Sequence, residues 1–448
     1  MSAPLVRALG EDRVTIDPAL RRAFGCSGVE PGCVVFPRTV EEVGAGVRAA
    51  AGAGLVLVPC GNATHLGIGH PPRRYDAALS VRYLDRIVAH EAGDMTVTVE
   101  AGLTVAGLDA ALAPAGQWLP LDPPCPERMT IGGLVAADRS GPMRLAHGKV
   151  RDLLIGCKVV TGEGSLIKGG GRVVKNVAGY DLPKLFTGSY GTLGVIVEAT
   201  FKVRPRPAAE RLCAWPADSL AEALRRGLAV LDSALAPALL AALDGRAALA
   251  LGLERSPVLI AGLSGAPALL AAQTASLAAF ARECGEDLLP CDDATSARYL
   301  LALRDFPLSG EPGSSGTGAG LLLRASVLPS ALPAIVAELE RQAGRLDLEA
   351  AICAQVGSGV VWLKLDRSPD DAEGLARLVA LVVEARRIAA QARGALVVES
   401  MPDAIRDRID PWGAESLLGT RATALMAGVK RSLDPAGVFA PGRFVGGI

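Results

Sequence analysis

The sequence predicts an α+β protein that divides into two or three domains. Three observations support this prediction. A strand–helix–strand pattern begins at Cys33, the prolines of Arg204-Pro-Arg-Pro207 mark a natural boundary, and helices rich in Ala and Leu alternate with strands beyond that boundary. A chain of 448 residues is also too long for one ordinary hydrophobic core.

The first region opens with a predicted βαβ unit. Its strands are Val34–Phe36 and Leu55–Val58, and the capping box Thr39-Val-Glu-Glu42 begins the helix between them. A second, smaller unit of this kind is predicted from the alternating strand Thr96–Glu100 and a short helix that Thr104 caps.

A hairpin and a closing strand complete this region. The strands Leu153–Val160 and Ser165–Lys168 flank Thr161-Gly-Glu-Gly164, whose composition is typical of a hairpin turn. Gly194–Val203 is the predicted closing strand, and it ends just before the proline pair.

The second region is predicted to be an α+β domain of its own. The predicted helices are Ser219–Leu231, Ala266–Cys284, Leu332–Ala343 and Asp371–Ala392, and the predicted strands are Val258–Leu263, Leu321–Val327 and Val360–Leu365. The glycine-rich and serine-rich stretch Ser309–Gly320 is predicted to be a mobile loop.

Composition and charge exclude several classes of function. The net charge of −1 provides no basic field for nucleic acid or an anionic membrane. Charged residues interrupt the longest apolar stretch, Leu224–Leu251, so no transmembrane helix is predicted. The N-terminus shows no apolar signal core, and a cytoplasmic location is expected.

The nine cysteines have no CxxC pair and no repeated short spacing. This pattern argues against an iron–sulfur cluster or a zinc site in this chain. We expect reduced thiols that are mostly buried.

The segment Pro59–Gly69 follows a predicted strand and consists of small residues that can turn consecutive N–H groups toward one point. Such a nest binds phosphate. The segment lacks the lysine of a P-loop, and no amphipathic helix follows it as in a Rossmann fold. Taken alone, an ordinary glycine-rich turn is the commoner explanation.

Three further glycine-rich segments follow in order. They are Thr130–Gly133 with its continuation to Gly141, Lys175–Asp181, and Gly188–Ile196. We expect each of the four segments to lie at the end of a strand. Together they would suit a long ligand with an uncharged ring and a diphosphate.

The ordered series CGNATHLG, DPP…TIGG, G.VRD, KN.AGYDL and GSYGTLGVI resembles the FAD domain of the vanillyl-alcohol oxidase and p-cresol methylhydroxylase (PCMH) superfamily. More closely, it resembles the family of FAD-binding E subunits of bacterial glycolate oxidase. The match runs from about residue 30 to 207 and returns at Asp434–Arg443.

The resemblance implies a PCMH-type FAD-binding domain, made of two α/β subdomains, with a second α+β cap domain. The implied divisions are an N-terminal extension at 1–28, the FAD-binding domain at 29–207, the cap domain at 208–428, and a C-terminal segment at 429–448 that returns to the FAD domain.

The resemblance also assigns roles to residues. Gly61–Gly67 would wrap the diphosphate, Thr130–Ala137 would line the ribityl chain and ring, and Gly194–Ile196 would hold adenine through backbone atoms. The implied cofactor-binding residues are Gly61, Asn62, Ala63, Thr64, His65, Leu66, Gly67, Pro124, Thr130, Gly132, Gly133, Ala136, Ala137, Gly141, Gly194 and Ile196.

Some members attach the flavin covalently through a histidine at the position that Thr64 occupies here. In this chain the histidine is one residue later, at His65, which favours noncovalent FAD. His70, His90 and His147 are scattered, and we expect each to be a solvated or hydrogen-bonded side chain, although His147 lies in a loop near the expected ring.

Flavin-dependent D-2-hydroxy-acid dehydrogenases of the superfamily carry a metal-linked motif, His-x-Gly-Asp-Gly-Asn-x-His, in the cap. Two stretches of this chain, Gln355–Trp362 and Glu399–Met401, align with that motif but lack its reactive side chains. The chain has no histidine after His147. We therefore expect no metal site in the cap. A plain β-hairpin and a strand end are equally compatible with these two stretches.

Two arginines are weak candidates for catalysis. Arg304 or Arg324 could grip a substrate carboxylate through two hydrogen bonds. Salt bridging at the surface is the commoner role of such residues.

The favoured hypothesis is an FAD-binding subunit of a glycolate or D-2-hydroxy-acid dehydrogenase complex. A metal-containing flavoprotein subunit and an iron–sulfur subunit are the expected partners, and peripheral membrane association through them stays open. A self-sufficient FAD-dependent alcohol or hydroxy-acid oxidoreductase is one alternative. A non-catalytic FAD-containing scaffold subunit is another.

Overall fold

The computed structural model describes residues 2–171, 180–284, 287–308, 320–366, 369, 371–413 and 419–448. The chain forms two compact units. Unit 1 comprises Met1–Arg139, Lys149–Pro205 and Leu418–Ile448, and unit 2 comprises Ser140–Gly148 and Arg206–Leu417. Most of two predicted segments, Ser309–Gly320 and Lys175–Asp181, lies outside the described residues.

The secondary structure of each unit mixes helices and strands. In chain order the strands are β1 (Val14–Thr15), β2 (Cys33–Val35), β3 (Leu57–Cys60), β4 (Ala77–Ser80), β5 (Ile87–Glu91), β6 (Thr96–Glu100), β7 (Gln117–Trp118), β8 (Leu154–Val160), β9 (Leu166–Gly170), β10 (Val195–Lys202), β11 (Arg204–Pro205), β12 (Ala209–Pro216), β13 (Leu239–Leu243), β14 (Val258–Gly265), β15 (Leu289–Pro290), β16 (Leu321–Ser326), β17 (Ala351–Gln355), β18 (Val360–Leu365) and β19 (Ala395–Ser400). The α-helices are α1 (Ala3–Leu9), α2 (Pro18–Ala23), α3 (Val40–Ala53), α4 (Val105–Leu112), α5 (Ile131–Ala137), α6 (Arg144–His147), α7 (Val150–Leu153), α8 (Leu182–Phe186), α9 (Leu220–Leu231), α10 (Gly245–Ala250), α11 (Pro267–Glu283), α12 (Asp293–Asp305), α13 (Leu332–Arg345), α14 (Ala372–Gln391) and α15 (Thr420–Leu433).

The first sheet of unit 1 has the strand order β1-β2-β4-β3, and β2 and β3 both run parallel to β4. The helix α3 connects β2 to β3 as predicted, and Thr39 caps it by accepting a hydrogen bond from the N–H of Glu42 at 3.1 Å. The two strands of the βαβ unit are not neighbours, because β4 lies between them. The sequence analysis missed β4, which is only four residues long and fully buried.

The second sheet of unit 1 has the order β5-β6-β10-β8-β9, and all of its pairs are antiparallel. The prediction of a second βαβ unit is therefore wrong, although Thr104 does cap α4 through the N–H of Gly107. The predicted hairpin is confirmed as β8 and β9. A strand followed by a helix does not determine whether the next pairing is parallel, since that depends on distant strands.

The segment after α15 adds a short extension to the first sheet. Leu57 donates its N–H to the carbonyl of Val438 at 2.8 Å, and Ala440 donates to the carbonyl of Leu57 at 2.9 Å. Phe439 consequently forms a parallel bridge with Leu57. This contact places residues 438–443 beside β3, whose C-terminal end leads into the first glycine-rich segment.

Unit 2 contains one antiparallel sheet with the order β15-β12-β14-β13-β17-β18-β16-β19. Its core joins residues of the sheet with the apolar faces of α9, α13 and α14, including Leu224, Val336 and Leu381. The helices predicted in this region differ from the observed bounds by at most two residues. None of the helices among the described residues is long and apolar enough to cross a membrane.

Candidate functional site

A cavity in unit 1 lies at the C-terminal end of β3. It encloses about 680 Å³ including its open mouth, which lies within the usual size range of ligand pockets. Its wall comes from three chain segments together with Val81 and Arg443; the lining residues are Pro59, Cys60, Gly61, Asn62, Ala63, Thr64, His65, Leu66, Val81, Thr130, Gly132, Gly133, Ala136, Ala137, Tyr190, Gly191, Gly194, Val195, Ile196 and Arg443.

The first wall is Pro59–Gly67, which we call the phosphate loop. Its carbonyls are held from outside, because Ser80 donates to the carbonyl of Gly61 at 2.8 Å and Arg443 donates to that of Leu66 at 2.8 Å. Within the described part of the chain, the N–H groups of residues 61–64 donate no hydrogen bond. Ala63 adopts a left-handed φ of 60°, a conformation found in anion-binding nests.

The second wall is the segment that begins at Thr130. A Cβ on Gly61 would lie 2.0 Å from Oγ1 of Thr130, so only glycine allows the two segments to pack this closely. The same Oγ1 caps α5 by accepting from the N–H of Gly133 at 3.2 Å. Asn62 joins the two walls on their outer side, since its side chain donates to the carbonyl of Arg128 at 3.0 Å.

The third wall, Tyr190–Ile196, hydrogen-bonds to the second. Tyr190 donates its N–H to the carbonyl of Ala136 at 2.8 Å, and Gly188 donates to that of Val135 at 3.0 Å. Tyr190 has a left-handed φ of 51° and Gly191 one of 73°. The chain thus folds back sharply at this point before it enters β10.

The expectation that every glycine-rich segment ends a strand is wrong for two of them. The segment at Thr130 begins a short helix, α5, and the segment at Gly188 follows the helix α8 and leads into a strand. The phosphate loop follows the strand β3 as expected, and most of the fourth segment, Lys175–Asp181, lies outside the described residues. Glycine content marks close approach of the backbone and does not identify the preceding element.

The site can accept an anionic group and an uncharged ring. The wall consists largely of small and apolar residues, and its unused N–H groups provide fixed dipoles for phosphate oxygens. Burial raises the pKa of the Cys60 thiol to about 12, so this lining residue stays neutral near neutral pH and does not repel an anion. Arg443 adds a positive charge. These features fit the diphosphate and isoalloxazine of FAD.

The cavity brings together most of the sequence-predicted cofactor residues. Gly67, Pro124 and Gly141 are not part of its wall. The wall also contains residues of the predicted segments that were not named individually, namely Pro59, Cys60, Tyr190, Gly191 and Val195, and two residues outside those segments, Val81 and Arg443. Arg443 was within a recognised motif, but its sequence separation from the phosphate loop gave no sign of contact.

His65 lines this cavity, and the side chains of His65 and His90 both have polar partners. Nδ1 of His65 lies 3.0 Å from Oγ1 of Thr64, and Nε2 of His90 lies 2.8 Å from Oε1 of Gln117. The N–H of His70 donates to the carbonyl of Arg443 at 3.1 Å. His147 ends the short helix α6 in unit 2.

The two stretches of unit 2 that resemble a metal motif form ordinary sheet structure. Ala351–Leu365, which we call the cap hairpin, consists of β17 and β18 joined by a tight turn, and Glu399 lies in β19. Among the described residues, no group of three or more His, Cys, Asp or Glu side chains is placed to hold a metal ion.

Both candidate catalytic arginines form ion pairs. Arg324 donates to the buried carboxylate of Glu399 at 2.6 Å, and Arg304 pairs with its neighbour Asp305 at 3.0 Å. A role for either residue in substrate binding stays a prediction.

Two sequence profiles match the chain. The profile described as "FAD binding domain" matches residues 31–170, and that described as "FAD linked oxidases, C-terminal domain" matches residues 206–400. Both lie where the sequence analysis expected an FAD-binding domain and a cap.

Among curated proteins, glycolate oxidase subunit GlcE of Escherichia coli (strain K12) is 46% identical over 132 residues, which are 29% of this chain and 38% of that protein. Glycolate oxidase subunit GlcD of Bacillus subtilis (strain 168) is 31% identical over 48% of this chain and 46% of that protein. These matches therefore span less than half the length of either relative. The probable mitochondrial D-lactate dehydrogenase of Danio rerio is 26% identical over 97% of this chain and 89% of that protein.

Solved structures share the fold across nearly the whole chain. The structure of p-cresol methylhydroxylase with substrate bound has a TM-score of 0.79 at 16% identity, covering 98% of this chain and 95% of that one. An alkyldihydroxyacetonephosphate synthase has a TM-score of 0.74 at 18% identity, covering 98% of this chain and 86% of that one. The predicted PCMH-type fold with a second C-terminal domain is confirmed.

Proposed function

We propose that this chain is the FAD-binding subunit of a glycolate or D-2-hydroxy-acid dehydrogenase complex, in keeping with the FAD-binding and FAD-linked oxidase profiles that match residues 31–170 and 206–400. The main support is the 46% identity to a glycolate oxidase subunit. The relatives matched over larger parts of this chain include D-2-hydroxyglutarate and D-lactate dehydrogenases, so a 2-hydroxy acid is the common substrate class.

The residues of the cavity would hold the cofactor without a covalent bond. The N–H groups of Gly61–Thr64 would replace water around the diphosphate, and the small side chains of α5 would leave room for the ribityl chain and ring. Bound FAD would supply a two-electron acceptor for the α-hydride of the hydroxy acid. Noncovalent attachment is supported by Thr64, which stands where some relatives carry a histidine.

Dependence on partner subunits follows from what the sequence lacks. Oxidation of a 2-hydroxy acid needs a base for the hydroxyl proton, and this chain has no histidine after His147. The stretch Gln355–Trp362, which aligns with the metal-linked motif, forms part of the cap hairpin. We propose that a second flavoprotein subunit supplies the base and that an iron–sulfur subunit accepts the electrons. The nine free thiols support a reducing compartment such as the cytoplasm.

The test is an anaerobic reduction experiment. The purified flavin-loaded chain is mixed with glycolate or D-lactate while the visible flavin absorption band is followed. We expect no bleaching within typical turnover times, roughly seconds. Adding the chains that co-purify with it from its source cells should produce bleaching. Rapid bleaching of the isolated chain would overturn the proposed dependence on partners.

A second candidate is a self-sufficient D-2-hydroxy-acid oxidoreductase. The end-to-end similarity to a probable D-lactate dehydrogenase favours it, because that similarity includes unit 2. Bleaching by the isolated chain would support this candidate. Flavin fluorescence that stays with the denatured chain on a gel would separately refute noncovalent attachment.

A further inference from the structure

The segment Asp434–Arg443 reaches both sides of the cavity. It runs beside β3 through the contacts of Leu57 with Val438 and Ala440. It therefore lies next to the strand from which the phosphate loop emerges. One end of the segment is anchored to the third wall of the cavity, and the other end contacts the phosphate loop.

A buried ion pair provides the anchor. Nζ of Lys430 lies 2.6 Å from Oδ2 of Asp434 and donates to the carbonyl of Thr192 at 2.6 Å and to that of Phe439 at 2.7 Å. Asp434 in turn accepts from the N–H groups of Val438 and Phe439, both at 2.8 Å. Because Thr192 belongs to the third wall, this network fixes the segment relative to that wall.

Arg443 makes the contact with the phosphate loop. Its side chain is among the largest fully buried ones, at 2% exposure, and it lines the cavity. The guanidinium donates to the carbonyls of His65 at 3.2 Å and Leu66 at 2.8 Å, and to Sγ of Cys26. A planar guanidinium can hold two adjacent carbonyls at once, which the single ammonium of a lysine does less rigidly.

These contacts determine the orientation of two peptide groups. The chain has no cis peptide bonds among its described residues, and in a trans peptide the carbonyl and the following N–H point in opposite directions. When the carbonyls of His65 and Leu66 point at Arg443, the N–H groups of Leu66 and Gly67 point away from it. Arg443 thereby holds the C-terminal end of the phosphate loop, directly after residues 61–64, whose N–H groups are unused by the described residues. Ser80 fixes the peptide after Gly61 in the same manner.

We infer that Arg443 is a positioning residue for the cofactor, which holds the phosphate loop in the conformation that binds the diphosphate of FAD. This inference rests on the proposed function only in requiring that the chain binds FAD. Arg443 acts by holding loop carbonyls and by placing positive charge at the wall, and both effects lower the free energy of a bound diphosphate.

The test measures FAD affinity of the full chain in the absence of substrate and partners. Bound flavin is removed, and FAD is titrated back while its fluorescence is followed. We expect Arg443→Met to weaken binding by roughly 100-fold, because the positive charge at the wall is lost and two carbonyls each lose one donor. The carbonyl of His65 keeps the N–H of Ile68 as a donor, and that of Leu66 keeps the thiol of Cys26. Arg443→Lys should recover part of this loss and remain roughly 10-fold weaker than the native chain.

The matched control is Arg431→Met, which removes the same charge from an exposed position on α15. It should bind FAD as the native chain does. Riboflavin, which lacks the diphosphate, provides a second probe, because its affinity should change much less than that of FAD in the Arg443 variants. A uniform loss for both ligands would indicate general disruption and would overturn the inference.

If Arg443→Met does not fold, the FAD affinity of Arg443→Lys provides the test. Equal FAD affinity of Arg443→Lys and the native chain, at matched thermal unfolding of the flavin-free proteins, would overturn the role of the guanidinium. That outcome leaves the proposed function intact. A native chain that takes up no FAD would instead refute the proposed function together with this inference.

Discussion

The phosphate loop and the turn of the cap hairpin both contain glycine and differ in their hydrogen bonding and surroundings. Each follows a strand and contains glycines within a few residues. In the phosphate loop, side chains from elsewhere in unit 1 hold the carbonyls, and several N–H groups remain unused by the described residues. In the cap hairpin, β17 and β18 pair up to Gln355 and Val360, and the turn closes on itself.

The turn of the cap hairpin is held by hydrogen bonds within the hairpin and by one from Val327, which follows β16. Ser358 donates to the side-chain oxygen of Gln355 at 3.2 Å, and the carbonyl of Gly359 accepts from the N–H of Val327 at 2.8 Å. Glycine is needed there for a left-handed φ of 65°. Glycine content alone therefore does not make a ligand site. The two turns differ in that the phosphate loop lines a cavity with N–H groups that the described residues leave unused, whereas the hairpin turn is not part of that wall.

The largest expected effect is that of Gly61→Ala on FAD binding. The added Cβ would overlap Oγ1 of Thr130, and the phosphate loop would have to move away from the second wall. We expect FAD affinity to fall by roughly 100-fold or more, measured by fluorescence titration. The control is Gly52→Ala on α3 of the same unit, outside the cavity wall, where nothing lies within 4 Å of the added Cβ. Equal affinities of the two variants would contradict this account of the cavity.

Gly359→Ala in the cap hairpin should lower stability and leave FAD binding unchanged. Its Cβ would lie 2.0 Å from the carbonyl oxygen of Val327, and alanine is strained at this φ. We expect a loss of about 2–4 kcal/mol in the free energy of unfolding by urea, with FAD affinity unchanged. Gly344→Ala, which is helical and meets nothing within 4 Å, should be neutral or stabilising. A large loss of FAD affinity in Gly359→Ala would mean that the two regions are coupled.

The two regions should respond alike to alkaline pH. Burial raises the pKa of Cys60 in the phosphate loop and of Cys353 in the cap hairpin from the ordinary 9.0 to about 12. The folded chain keeps these protons to higher pH than the unfolded chain does. The free energy of unfolding should therefore fall as pH rises from 9 toward 12, by about 1.4 kcal/mol per pH unit for each thiol.

Replacing either cysteine by alanine checks this pH dependence. The slope of the free energy of unfolding against pH should decrease by the contribution of one thiol in each variant. Cys284→Ala is the control, because Cys284 is exposed. An unchanged slope in both Cys60→Ala and Cys353→Ala would show that these thiols ionise normally in the folded chain.

The smallest expected effect concerns the N-cap at the second wall of the cavity. Thr130→Ala removes the acceptor for the N–H of Gly133 and should cost about 1 kcal/mol of stability. It should also weaken FAD binding, whereas Ser219→Ala, which removes the cap of α9 in unit 2, should cost a similar amount of stability without that loss. Thr130→Ser keeps the hydroxyl and should restore stability. Equal FAD affinity in both alanine variants would speak against a role of α5 in the site.

Local patterns predicted the elements that depend on neighbouring residues. Four helices of unit 2 were found to within two residues because their apolar positions repeat at helical spacing and a residue such as Ser219 or Asp371 caps some of them. The helices α10 and α12 were not predicted. The cap hairpin was among the stated alternatives. Errors arose where distant strands decide the pairing, as with β4 between β2 and β3, and with the antiparallel partners of β6.

The sequence by itself determined the phosphate loop, because Gly61 and its small neighbours restrict what the backbone can do there, and the ordered motifs identified the family. Only the tertiary structure decided which groups hold that loop. Ser80 lies on another strand, β4, and donates to the carbonyl of Gly61. Arg443 donates through Nη2 to the carbonyl of Leu66, from which it is separated by 377 positions in the sequence. A hydrogen bond depends on distance in space, and no local pattern records that distance.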